Sequence, residues 1–245
     1  MKTISFFYFV FFFPFFVLAQ SNNDNEENDK SLAIYGIGTV QMTQFNNFNT
    51  ILQANNYGTM SNTNLNIGGG IMLRNNEILV QGEFRMYKNE VKNTTSNAIM
   101  NVNLFQLNVG YTLFNREKIK ISPLLGAGVA NATLNVAPMT NTTSNLGGIL
   151  TNPTGFGKIS ATQFSLHAAV QVEILPVYLN LRGGRKARGL IGIKSGYYLP
   201  LQDVTWKIGS TSITGSGGTP INENVNMNFG GFYVSLMAGI DLIKK

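Results

Sequence analysis

The segment Phe229 to Leu242, FGGFYVSLMAGIDL, alternates with a period of two. Phe232, Val234, Leu236, Ala238, Ile240 and Leu242 fall on one side. Gly231, Tyr233, Ser235, Met237, Gly239 and Asp241 fall on the other. Successive side chains of a strand point to opposite faces, so this spacing predicts an amphipathic β-strand and not a helix. A tilted strand of about 9–11 residues crosses a bilayer, and this one is long enough.

The same pattern recurs along the chain. Strands are predicted over residues 32–43, 63–74, 77–88, 98–113, 119–136, 160–182, 189–202 and 228–243. Their connections alternate in length. Asn75-Asn76, Asn115 to Lys118 (NREK) and Gly183 to Arg188 (GGRKAR) are tight polar turns. Gln44 to Asn62, Asn89 to Asn97, Ala137 to Gly157 and Asp203 to Met227 are long and rich in Asn, Thr, Ser and Gly. Phe48 to Asn55, FNTILQAN, has the spacing for one or two helical turns within the first long loop. Short turns at one end and long loops at the other suit an all-β, eight-stranded antiparallel up-and-down transmembrane barrel, with the short turns periplasmic and the long loops extracellular.

Composition points the same way. Only 12% of the 245 residues are charged, about half the usual share for a soluble domain, although the net charge is +6. Cysteine is absent and histidine occurs once, which removes disulfides and thiolate metal sites; no cofactor or metal is expected. Residues 1–19, MKTISFFYFVFFFPFFVLA, have the basic start and apolar run of a signal peptide cut after Ala19. Residues 20–30 form an acidic, Asn-rich linker, and residues 31–245 the barrel domain. No later segment has 18 consecutive apolar residues, so a bilayer would have to be crossed by a closed barrel.

Alternation alone does not say which face is inside, since a soluble eight-stranded calyx turns its apolar face inward around a ligand. Here the polar faces carry Gly, Asn, Ser, Thr and Gln with few charges, which favours an apolar face turned to lipid. Glu83, Arg85, Lys120, His167, Glu173, Lys194 and Asp241 then form a polar network inside the lumen, because an unpaired charge there would be costly. Gly68, Gly70, Gly126, Gly128 and Gly192 lie on the same strands; they either leave a water path or permit close packing. Basic residues gather at the short-turn rim, among them Arg116, Lys118, Lys120, Arg185, Arg188 and Lys244.

These features resemble the small outer-membrane β-barrel proteins of Gram-negative bacteria, of the OmpA-barrel or OmpX kind. The likeness rests on ISPLLGAGVANATL (121–134), LIGIKSGYYLPL (190–201) and FGGFYVSLMAGIDL (229–242), which are similar to the Gly- and aromatic-rich strands of that family. It spans Leu32 to Lys245 as a likeness of pattern. Many such barrels end in an aromatic residue that the insertion machinery recognises, whereas this sequence closes with DLIKK and has Phe232 and Tyr233 further upstream. The resemblance implies a monomeric, non-enzymatic protein of the cell outer membrane. Its partners would be outer-membrane lipids, the barrel-assembly machinery and a surface ligand met by the long loops, with no nucleic acid.

One stretch leaves a catalytic alternative open. In FSLHAAVQVEI (164–174), Ser165, His167 and Glu173 share the polar face. Ser165 and His167 are two residues apart and within reach of one another, while Glu173 is about 20 Å from His167 along a strand. A barrel hydrolase acting on lipid A through Ser165 and His167 therefore stands beside the wall reading, as does a narrow solute channel.

Overall fold

The computed structural model describes residues 30–94, 96–116, 118–138, 157–175, 178–180, 186–208, 219–220 and 227–244. The expected signal peptide and most of the linker lie outside these residues. So do large parts of the third and fourth long loops, and Arg185 with the start of its turn. Eight long strands dominate: β1 (Lys30–Met42), β2 (Thr63–Asn75), β3 (Ile78–Lys92), β4 (Ser96–Tyr111), β5 (Ile119–Pro138), β6 (Gly157–Ile174), β7 (Lys186–Pro200) and β8 (Gly231–Lys244). Each pairs antiparallel with its neighbours in sequence, and β1 pairs with β8 from Lys30↔Lys244 to Gln41↔Tyr233. That last pairing joins the two ends of the sheet, which is a closed eight-stranded antiparallel barrel.

Four shorter segments extend the wall. Phe114–Arg116 and Tyr178–Asn180 pair with the starts of β5 and β7 at the short-turn end. Thr205–Ile208 continues the sheet beside the upper part of β6, where β7 has already ended, and pairs in turn with Thr219–Pro220. The sixth strand thus stops at Ile174, short of the expected residue 182. Pro176 follows in the sequence, and a proline cannot donate to a ladder. The Asn89–Asn97 connection, expected to be long, is short, because β3 runs to Lys92 and β4 begins at Ser96. At the β2–β3 turn the two linking residues are Asn76 and Glu77, one position later than expected, with Asn76 at φ 58°.

Helix α1 (Asn46–Ala54) occupies the first long loop, close to the expected turns. Phe48 and Leu52, one turn apart, are its buried residues. They point into the barrel mouth and pack with Phe45, Met60 and Phe229.

The two faces exchange character partway up the wall. In the lower part, Leu107, Val109 and Tyr111 of β4 face outward and are exposed, while Gln106 and Asn108 face inward and are buried. Higher on the same strand, Asn101 and Asn103 face outward, and Ala98, Met100, Val102 and Leu104 face inward. β3 repeats this: Arg85 is inside below, whereas Tyr87 and Val91 are inside above with Lys88, Glu90 and Lys92 on the outer surface. Hydrogen bonds from Lys88, Lys92 and Asn97 hold the Glu90 carboxyl well below the usual carboxylate range. The barrel is therefore inverted below and conventional above, as expected for one wall standing first in hydrocarbon and then in water.

Candidate functional site

The lower lumen is filled by inward residues of all eight strands, in two charged storeys. On the floor, the Arg74 guanidinium donates to both oxygens of Glu173, at 2.6 and 2.7 Å. Arg188 Nε donates to Asp241 Oδ2 at 2.8 Å, and Arg74 Nη1 lies 3.8 Å from that same oxygen. Lys120 is buried and stands opposite Glu173 in the β5–β6 register. Gln171 donates to Glu173 at 2.9 Å and accepts from Gln81 at 2.7 Å, which ties the floor to the wall above it.

The second storey centres on Glu83. Its carboxylate accepts from Lys194 and, at 2.7 Å, from the Tyr35 hydroxyl, and Arg85 lies 3.3 Å from its other oxygen. Arg85 also donates to Gln106 and to Tyr198. Its guanidinium sits 5.4 Å and 5.1 Å from the ring centres of Tyr198 and Tyr233. His167 completes a group of three rings, 4.9 Å from Tyr198 and 5.4 Å from Tyr233. These rings and the guanidinium fill the centre of the barrel.

The expected network residues therefore divide into two groups: Glu83, Arg85, His167 and Lys194 above, and Lys120, Glu173 and Asp241 on the floor. Arg74 and Arg188 belong with the second group, and neither is in the set expected from the sequence. Arg188 is not at the rim, because β7 starts at Lys186 and carries it inside the wall. Tyr35, Tyr198 and Tyr233 are further lumenal residues outside that set; their signal is their place on the polar parity of β1, β7 and β8.

His167 is committed to neighbours. Nδ1 lies 2.7 Å from Asn108 Oδ1, and Nε2 meets the Tyr233 hydroxyl. Gln106 Nε2 also lies 2.5 Å from Nδ1, so both ring nitrogens are occupied by lumenal side chains. Among the described residues no hydrogen bond joins Ser165 to His167, and Glu173 is held by Arg74 on the floor. At two of the lumenal glycines the paired residue on the adjacent strand takes the space: a Cβ at Gly70 would lie 2.7 Å from the Tyr35 ring, and one at Gly126 would overlap Asn108 Oδ1. They accommodate packing and leave no path at those points.

A closed barrel with an apolar exterior and a charged, hydrogen-bonded interior is the reverse of a soluble calyx, and it defines a transmembrane β-barrel of the outer-membrane type. No family model matches the sequence, and no curated protein matches it significantly. Among solved structures the chain is similar to Neisserial surface protein A, at 13% identity over 87% of this chain and 97% of that one, with a TM-score of 0.40. It is similar to Ail, the attachment invasion locus protein of Yersinia pestis, at 11% identity over 87% and 98%, with a TM-score of 0.45. The outer membrane protease OmpT of Escherichia coli gives 9% identity over 92% and 100%, with a TM-score of 0.36. The class rests on the barrel's own closure and its inverted faces.

Proposed function

We propose that this chain is a non-enzymatic, monomeric protein of the cell outer membrane, closed to solutes, whose long extracellular loops make its contacts with a surface ligand. The observation that carries this reading is the occupied lumen: Arg85, His167, Tyr198 and Tyr233 meet at its centre above the Arg74–Glu173 pair. An eight-stranded barrel is just wide enough for side chains to fill. The engagement of His167 with Asn108 and Tyr233 supports a structural role for that residue. Outer-membrane lipids would cover the lower exterior, and the barrel-assembly machinery would insert it.

Two measurements test this. Reconstituted in a planar bilayer, the protein is expected to give no discrete single-channel conductance; regular unitary steps would replace the closed reading with that of a channel. On an SDS gel, the outer-membrane fraction is expected to migrate differently before and after boiling. Recovery in the soluble periplasmic fraction, without a shift, would reject the membrane setting.

A further inference from the structure

The fourth long loop leaves the barrel at Asp203 and returns at Met227, and its two feet stand on either side of a notch in the upper wall. β7 ends at Pro200, and Leu201 N donates to the Phe164 carbonyl at 2.9 Å. On the returning side, Asn228 and Gln44 exchange backbone hydrogen bonds, both at 3.0 Å. Gly231, at φ 141°, starts β8 in a conformation that favours glycine, and a side chain there would overlap the Met42 carbonyl. Between the two feet lies a cavity of about 280 Å³.

One buried side chain fixes both sides of this cavity. Gln163 is 2% exposed; its Nε2 donates to the Gln202 carbonyl at 3.1 Å, and its Oε1 accepts from the Phe229 amide at 2.9 Å. Three further polar side chains line the space, those of Gln202, Asp203 and Asn228. Asn228 Oδ1 accepts from the Gly230 amide at 2.6 Å, which leaves its NH2 group to meet a guest. Among the described residues, the Asp203 carboxylate and the Gln202 side-chain amide make no hydrogen bond or ion pair.

The mixture of groups selects the guest. A carboxylate only accepts, whereas the amide NH2 groups donate, so a ligand that satisfies both must itself donate and accept, as a hydroxyl does and an ammonium does not. Calcium takes about six to eight oxygens, and the cavity offers one carboxylate. Among the described residues no Lys or Arg lines the space, so a sulfate or phosphate would meet Asp203 as a like charge. Pro200, Leu201 and Met227 supply an apolar side on which the C–H face of a sugar ring can pack. The volume falls just under the roughly 300–1,000 Å³ of sites for drug-sized ligands, which leaves room for one ring.

We propose that this cavity binds a single neutral pyranose residue at the end of a surface glycan, with Asp203 accepting from its hydroxyls and the amides of Asn228 and Gln202 donating to them. This names the class of the surface ligand proposed above and rests on that reading.

Full-length protein in phosphatidylcholine nanodiscs is presented with the methyl pyranosides of glucose, galactose, mannose, fucose and N-acetylglucosamine, and binding is followed by saturation-transfer difference NMR. At least one glycoside is expected to give transfer that saturates with concentration. Asp203→Asn, which keeps the shape, should raise its half-saturating concentration about tenfold, the value of one hydrogen bond to a charged group. No saturable transfer to any of these sugars, or an unchanged half-saturation in Asp203→Asn, would overturn the site. Tighter binding of glucose 6-sulfate than of the neutral glucoside would reject a neutral sugar. Retention of the gel shift in each variant shows that it is folded. The gel shift and the bilayer recording test the closed barrel without any sugar, so a protein that passes both and binds no glycoside strikes the glycan alone.

Discussion

Glu83→Ala is expected to lower the unfolding free energy by about 3–5 kcal/mol, because it strands buried charge. Lys194 is fully buried and paired with Glu83; Arg85 and the Tyr35 hydroxyl lose the same acceptor. The expected loss is much larger than the net value of the pair, since replacing both members by apolar groups is often nearly neutral. Glu83→Ala combined with Lys194→Met should therefore recover most of the stability. The exposed Lys88–Glu90 pair, at 2.8 Å, provides the contrast: solvent screens it, and breaking it should leave stability nearly unchanged. Urea unfolding of the bilayer-reconstituted variants, followed by Trp206 fluorescence, measures all of them. A change below about 1 kcal/mol for Glu83→Ala would mean that water reaches Lys194, and the sealed lumen would have to be abandoned.

The strands are legible because a period of two survives in a single sequence, and so is the parity that puts Glu83, His167 and Asp241 on one face. Partners are not legible. Arg74 and Glu173 are 99 residues apart, and Tyr35 and Glu83 are 48 apart, so only barrel closure and register bring them together. The exchange of faces is present in β4 as Ala98, Met100, Val102 and Leu104 followed by Gln106 and Asn108 on the same parity. Reading that as a boundary requires knowing which parity is inside, which the alternation alone does not supply. Pro176 marks the end of β6 in the sequence, but the period of two resumes through Tyr178 to Asn180, on a segment that pairs with the start of β7, and so carries the expected strand past it.

Leu107→Arg addresses the boundary itself. Leu107 is 60% exposed on the outer face, with Gly82 and Ala127 as its cross-strand neighbours, so an arginine meets no steric obstacle there. Were that face in water, the change would stay within about 0.5 kcal/mol of neutral. Against hydrocarbon, an arginine near the midplane costs about 2–4 kcal/mol. Asn103→Arg, on the same face of the same strand but four residues higher, lies on the polar side of the exchange and is expected to be near neutral. The difference between the two variants, measured by urea unfolding in bilayers, locates the hydrocarbon edge between them. Equal, small effects at both sites would mean that the lower exterior faces water, and the chain would then be a calyx whose charged residues hold its centre together.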